Sequence, residues 1–269
     1  MRIGTKDFDV ENHTYIMGIL NVTPDSFSDG GRWQDPDIAI AHAEDMVKRG
    51  AAIIDVGGES TRPGYEMISD QEEIDRVVPV IEKLAGNIGA PVSVDTYKSR
   101  VAEAALKAGA SLINDIWGFR YDSDMPGVVR KYDAVCCLMH NKKEPVYDDL
   151  IKDICSDLGE SVKLAVEAGI SPEKIILDPG IGFGKTCEMN LSVMKHLDEF
   201  NRLGYPMLLG ASRKSMIGLT LDLPKNEREE GTIVTSVLAA INRYPFVRVH
   251  DVEKNYRAVK MYEAIINAG

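Results

Sequence analysis

Residues 15–31 read YIMGILNVTPDSFSDGG. Residues 15–20 form an apolar run of strand length. From Asn21 the chain becomes a polar loop with an amide, the carboxylates of Asp25 and Asp29, three hydroxyls and the pair Gly30-Gly31. One aromatic, Phe27, stands among them. A strand that opens into so many hydrogen-bonding groups reads as the C-terminal end of a barrel strand, where loops build binding sites.

The same unit recurs along the chain. Strands are predicted at 15–20, 52–56, 92–95, 111–115, 134–139, 175–178, 207–210 and 246–249, with helical periodicity between them. Ser69-Asp70-Gln71-Glu72 is a capping box, after which Ile74, Val77, Val78 and Ile81 share one face. Ile151, Ile154, Leu158, Val162 and Ala165 share another. Asp35-Pro36 reads as an N-cap followed by proline at the first helical position. In the last helix Val252, Tyr256, Val259 and Ile266 fall on one side. Eight strand–helix units predict a (β/α)₈ TIM barrel, and the open doubly wound sheet is the alternative with the same alternation. With no linker and no low-complexity segment, residues 1–269 read as one domain.

Composition bounds the function. Apolar residues make up 44% and charged residues 27% of the 269 residues, ordinary for a globular protein. A formal net charge of −11 argues against a nucleic-acid surface, which needs a basic face. No run approaches the ~18 apolar residues of a membrane span, and the N-terminus lacks an apolar signal core, which predicts a cytoplasmic protein. Cys136, Cys137, Cys155 and Cys187 lack C-x-x-C spacing and read as plain thiols. Adjacent Cys136 and Cys137 should point to opposite faces.

Nearly every predicted strand ends in a reactive group: Asn21, Asp55, Asp95, Asn114 with Asp115, His140, Asp178, Ser212 to Lys214, and Arg248 with His250. One polar strand end is ordinarily a helix cap. Eight in series, carrying amide, carboxylate, ammonium, guanidinium and imidazole groups, predict a shared mouth. Three groups suit an anion: residues 57–64, residues 212–215, and the alternating pair Arg248 and His250. Residues 178–186 imitate a nucleotide P-loop, but G-x-x-x-x-G-K-[ST] requires glycine where Pro179 stands. Their glycines suit either close approach to something flat, bordered by Phe183, or a structural turn. Asp95, Asn114 and Asp178 can read the edge of a heterocycle. No spacing supports a zinc site, and Mg²⁺ shared with substrate phosphates fits better.

With GILNVTPDSFSDGG (18–31), DVGGESTRPG (55–64), VDTYK (94–98), INDIWG (113–118), LDPGIGFGK (177–185), GASRKSMIG (210–218) and RVHDV (248–252) in this order, the chain closely resembles the dihydropteroate synthase family. The resemblance implies a TIM barrel that condenses 6-hydroxymethyl-7,8-dihydropterin diphosphate with 4-aminobenzoate, giving 7,8-dihydropteroate and diphosphate with Mg²⁺ assisting. It implies Asn21 on the metal, and Thr61, Arg248 and His250 on the diphosphate-bearing substrate. Asp95, Asn114, Asp178 and Lys214 would line the pterin pocket, with Met139, Phe183 and Gly210 also at the substrates. Arg62, Pro63, Phe27 and Ser212 would lie near aminobenzoate. Asp95, Lys214 and Arg248 are the implied catalytic residues, and a homodimer the implied assembly, with its interface on the last two helices. After His140 the chain continues Asn141-Lys142-Lys143-Glu144, where many members have Met and a Gly-containing turn. A pterin-binding methyltransferase barrel would share the carboxylates but would not need residues 60–63 or 212–214. A non-catalytic paralogue would be expected to lack motif residues, and none is lost.

Overall fold

The computed structural model describes residues 1–22, 36–59 and 67–268. The chain opens with an antiparallel pair of two-residue strands, β1 (Arg2–Ile3) and β2 (Lys6–Asp7). Next come β3 (Tyr15–Asn21), α1 (Pro36–Lys48), β4 (Ala51–Gly57), α2 (Asp70–Leu84), β5 (Val92–Asp95), α3 (Ser99–Lys107), β6 (Leu112–Asp115) and α4 (Met125–Lys131). They are followed by β7 (Val135–Met139), α5 (Leu150–Glu167), β8 (Ile175–Asp178), α6 (Cys187–Lys195) and α7 (Leu197–Phe200). The chain ends with β9 (Leu208–Leu209), α8 (Ser215–Leu221), α9 (Glu229–Ile241), β10 (Phe246–Val249) and α10 (Val252–Ile266).

Strands β3 to β10 pair in parallel, in the order β8-β7-β6-β5-β4-β3-β10-β9. A parallel bridge between Leu177 and Met207 joins β8 to the chain entering β9, and Leu177 N–H donates to Pro206 O at 3.0 Å. The sheet therefore closes on itself. The structure is the TIM barrel, not the open sheet.

Strand alternation divides the core in two. Ile54, Val56, Val92, Val94, Ile113, Cys136, Leu138, Ile175 and Leu177 face outward against the helices. Met17, Ile53, Leu112, Val135, Cys137, Ile176, Leu208 and Phe246 fill the barrel interior. Cys136 and Cys137 thus take opposite faces, as their adjacency requires. Ile3 and Phe8, carried by the β1–β2 hairpin, close the N-terminal end of the interior, where Phe8 stacks edge-on at 4.9 Å from Tyr15. Two-residue strands of mixed polarity carry no periodic signal, so this plug was not legible in the sequence.

The helix caps follow their sequence signatures. Ser69 accepts from Glu72 N–H at 3.2 Å, and Val77 and Ile81 of α2 are buried. Thr186 caps α6 and Asp251 caps α10 through the N–H groups of Met189 and Lys254. Helix α1 begins at Pro36, as expected, while Asp35 lies outside the described residues. On α10, Val252 and Val259 are buried but Tyr256 and Ile266 are exposed, which narrows the predicted apolar stripe. Among the described residues no helix is long and apolar enough to cross a membrane.

Candidate active site

Inward-facing residues change from apolar to polar at the C-terminal ends of the strands. Arg248 of β10 lies at the centre. Its Nε donates to Asp55 Oδ2 at 2.6 Å and its Nη2 to Asp95 Oδ2 at 2.6 Å. Asn114 Nδ2 also donates to Asp55 Oδ2, at 3.2 Å. The second oxygens, Asp55 Oδ1 and Asp95 Oδ1, are buried and accept no hydrogen bond from the described residues, as is the Ser93 hydroxyl. On the far wall Asp178 Oδ1 accepts from Gly180 N–H at 2.7 Å. A side chain on Gly210 would begin 3.4 Å from Asp178 Oδ2, so glycine there leaves that oxygen open.

Three buried carboxylates meet two half-buried cations here. Burial holds Asp95 up at about 7; Arg248 opposes the rise, while Asp55 and Glu73 add to it. Burial also raises Asp178, against the pull of Lys214 and the Gly180 N–H. The Lys214 ammonium is drawn down to about 8 by burial, with Asp178 opposing and Arg248 adding. Burial works against the Arg248 charge too, but Asp55 and Asp95 outweigh it and raise its pKa. The cluster holds more acceptors than its own donors satisfy, a demand that a ligand with adjacent N–H groups meets.

Lys214 leaves the end of its loop and crosses to residues 179–185. Its Nζ donates to Ile181 O and lies 4.2 Å from the Phe183 ring centroid. Phe183 packs with Tyr97, Ile116, Trp117 and Met139 into an apolar wall. Beside it the Ser212 hydroxyl pairs with His250 Nδ1 at 2.9 Å and accepts from His250 N–H at 3.2 Å. At the opposite rim stands Asn21, at the end of β3. A Cβ on Gly57 would lie 3.4 Å from Asn21 Oδ1, so its absence leaves that oxygen open beside Asp95. A neutral amide oxygen in such a place fits a hard cation such as Mg²⁺.

The family model described as pterin binding enzyme matches residues 17–250. The chain is 57% identical to dihydropteroate synthase of Clostridium beijerinckii over 99% of both chains. It is 55% identical to that of Bacillus subtilis, over 95% of this chain and 90% of the relative. The chain belongs to the dihydropteroate synthase family. The solved dihydropteroate synthase of Clostridium difficile, obtained in the presence of pteroic acid, superposes with a TM-score of 0.94 at 52% identity, covering 97% of this chain and all of that one. The Xanthomonas albilineans dihydropteroate synthase with 4-aminobenzoic acid has a TM-score of 0.92 at 39% identity, covering 96% of this chain and 95% of that one.

Of the residues that the dihydropteroate synthase motifs single out, Asn21, Asp95, Asn114, Met139, Asp178, Phe183, Gly210, Ser212, Lys214, Arg248 and His250 converge on the barrel mouth. Phe27, Thr61, Arg62 and Pro63 lie outside the described residues. Two strand ends expected at the mouth turn away from it. Asp115 follows the inward Asn114, so it points outward and accepts from the N–H groups of Trp117 (2.8 Å) and Phe119 (2.9 Å). His140 follows the inward Met139 and points toward α5, with Nε2 3.1 Å from Asp157 Oδ2. Arg213 also leaves the mouth: its Nε lies 3.4 Å from Glu229 Oε2 on α9. The glycines of 180–184 serve close approach to backbone more than to a ligand. A Cβ on Gly180 would lie 1.9 Å from His140 O, and one on Gly184 2.4 Å from Lys142 O.

Sequence reasoning had Asp55 as a polar strand end but not as a site residue; its parity with Ile53 and Gly57 is the signal that marks it inward. It also missed the buried ion cluster beside the mouth. Lys98 Nζ lies 2.6 Å from Glu59 Oε2 and 2.8 Å from Glu73 Oε2, and donates to Ile68 O at 2.9 Å. One buried cation therefore ties together the chain on both sides of residues 60–66. In the variant segment after His140, Lys142 Nζ lies 3.4 Å from Asp157 Oδ2 and 4.6 Å from the Tyr147 ring centroid, which anchors it to the barrel wall.

Proposed function

We infer that this protein catalyses the dihydropteroate synthase reaction through the groups at the barrel mouth. The observation that carries the assignment of these groups is the pair of buried acceptors, Asp55 Oδ1 and Asp95 Oδ1, together with the open Asp178 Oδ2 on the far wall. A dihydropterin presents ring N–H and amino donors along one edge. Asp178 and Asn114 read that edge, and Asp95, poised near neutrality, takes a further ring donor. The Lys214 ammonium and the Phe183 ring flank the heterocycle. His250, with Arg248, faces the diphosphate-bearing substrate, and Ser212, paired with His250, is assigned to the aminobenzoate side.

In the reaction the bond between the pterin methylene carbon and its diphosphate oxygen breaks, and the bonding pair leaves with diphosphate. The arylamine nitrogen then bonds to that carbon and loses a proton. The pterin ring delocalises the developing cation, so no protein nucleophile is required. The chain's task is to orient the ring, offset charge and exclude water. Mg²⁺, when bound with the diphosphate, would neutralise the leaving group, and Asn21 is the residue placed to hold it. Thr61, Arg62, Pro63 and Phe27 are assigned to the arylamine and diphosphate side on their motifs.

A homodimer fits the apolar side chains exposed on the last two helices, Val234, Leu238 and Ile241 of α9 and Met261 and Ile265 of α10. A cytoplasmic setting fits the four unpaired thiols. The activity is tested by incubating the protein with pterin diphosphate, 4-aminobenzoate and Mg²⁺ and following both diphosphate and dihydropteroate. Release of diphosphate without the condensed product would reject the transfer reaction. Sedimentation of a Val234→Asp variant tests the assembly: unchanged mass relative to a dimeric wild type would move the interface elsewhere.

A further inference from the structure

Behind the site, between β8 and α5, lies a second polar chain, apart from the cluster at the mouth. Lys185 Nζ donates to Gly180 O at 2.9 Å and to Phe183 O at 3.1 Å, and stands 2.9 Å from His140 Nδ1. An ammonium has three N–H groups, and these three acceptors use them all. For His140 to accept at Nδ1 its proton must sit on Nε2, where Asp157 Oδ2 takes it at 3.1 Å. Burial, with Lys185 adding, keeps that ring neutral by lowering its pKa to about 2. Asp157 is further faced by Lys142 at 3.4 Å and Arg120 at 3.6 Å. The order is thus carboxylate, neutral imidazole, ammonium, then backbone.

That backbone is residues 179–185, and it is fastened elsewhere as well. Tyr147 hydroxyl donates to Gly184 O at 2.7 Å, and Gly182 N–H donates to Asn190 Oδ1 at 2.6 Å. Gly180, Gly182 and Gly184 all adopt positive φ, at 72°, 83° and 56°. The far side of the same loop makes the Lys214 seat: the Ile181 carbonyl, the Phe183 ring, and Gly182, where a Cβ would lie 2.8 Å from Lys214 Cδ. Burying a cation is costly, and burial draws Lys185 down to about 7. The Asp178 and Asp157 carboxylates oppose that fall, while the ammonium's hydrogen bonds go to the loop and to His140.

We propose that Lys185 is a positioning residue, which with His140 and Asp157 holds residues 179–185 in the shape that seats the Lys214 ammonium and the Phe183 ring at the pterin. This rests on the dihydropteroate synthase reading above. Lys185 itself does not touch substrate. Its effect on the reaction passes through Lys214.

A double-mutant cycle tests it. Lys185→Met keeps the side-chain length and removes all three N–H groups. Its kcat/KM for pterin diphosphate is expected to fall about 30-fold or more, with the thermal midpoint measured alongside. In a Lys214→Met background the same substitution should cost less than threefold further. Equal losses in both backgrounds would mean a general structural role and overturn the proposal, as would full activity of Lys185→Met. If that variant does not fold, Tyr147→Phe decides, since it removes one hydrogen bond from the same loop. It should lower the same parameter three- to tenfold in the wild-type background and leave the Lys214→Met background unchanged. Absent turnover by the wild type would remove the function reading and this inference together, whereas an active wild type with additive variants removes the inference alone.

Discussion

Two residues along the same strands separate two kinds of interior. Ile53, Leu112, Ile176 and Phe246 pack against one another with no exposed surface. The next inward positions on those strands are Asp55, Asn114 and Asp178, also buried, and the half-buried Arg248, all charged or polar and in part unpartnered. The lower layer gains stability by removing apolar area from water, at about 25 cal/mol per Å². The upper layer gives part of that up to hold donors and acceptors where a ligand will complete them. Strand geometry treats both layers alike. Their difference is chemical, and it marks the working end of the barrel.

The sharpest way to break this comparison is Arg248→Met. It leaves Asp55 and Asp95 buried without their cation and should cost about 3–5 kcal/mol in stability by denaturant titration. The loss should be larger at pH 8 than at pH 5.5, because Asp95 can take a proton at the lower pH. Turnover should fall by about 10²-fold or more even where the variant is folded. Equal stability losses at the two pH values would contradict the shared-cation arrangement.

Phe246→Ala, one layer down, should cost a similar or slightly smaller 3–5 kcal/mol through the cavity it leaves. Its kcat/KM, assayed well below the melting temperature, should stay within a few-fold of wild type. A catalytic collapse in a stable Phe246→Ala protein would show that the layers are not separable.

Asp178→Asn should do the reverse. Replacing one acceptor oxygen with a donor opposes the pterin's own donors, worth about 2–4 kcal/mol in transition-state binding. Stability should be unchanged or higher, since burial disfavours the native carboxylate. Near-normal kcat/KM would remove Asp178 from the pterin edge.

The smallest effect is the pH dependence carried by Asp95. Its pKa rises from 3.8 in the unfolded reference to about 7 in the fold, so between these values the folded state binds more protons. Stability from this group is therefore complete below about pH 4 and is lost as pH rises toward 7. Asp95→Asn should flatten that fall by about 1–3 kcal/mol across the window, with buried Asp115 and Glu73 leaving a residual slope. Denaturation midpoints at pH 4.5 and 7.5 measure it, and identical slopes in both proteins would reject the shift.

What the sequence determined by itself was the repeat of strand and helix, and the motifs that place the chain in its family. Apolar runs of strand length, the Ser69 cap and the polar strand ends are local properties, and the physics that reads them is local too. What only tertiary structure decided was direction and closure. Asn114 and Asp115 are neighbours with similar side chains, and a period of two says only that they part. The barrel had to close, through Leu177 and Met207, before one parity became inside. The same closure sent His140 outward to Lys185 and Asp157 and brought Asp55 inward under Arg248. Those partners lie 45, 17 and 193 residues away, and no local pattern encodes a contact across such distances.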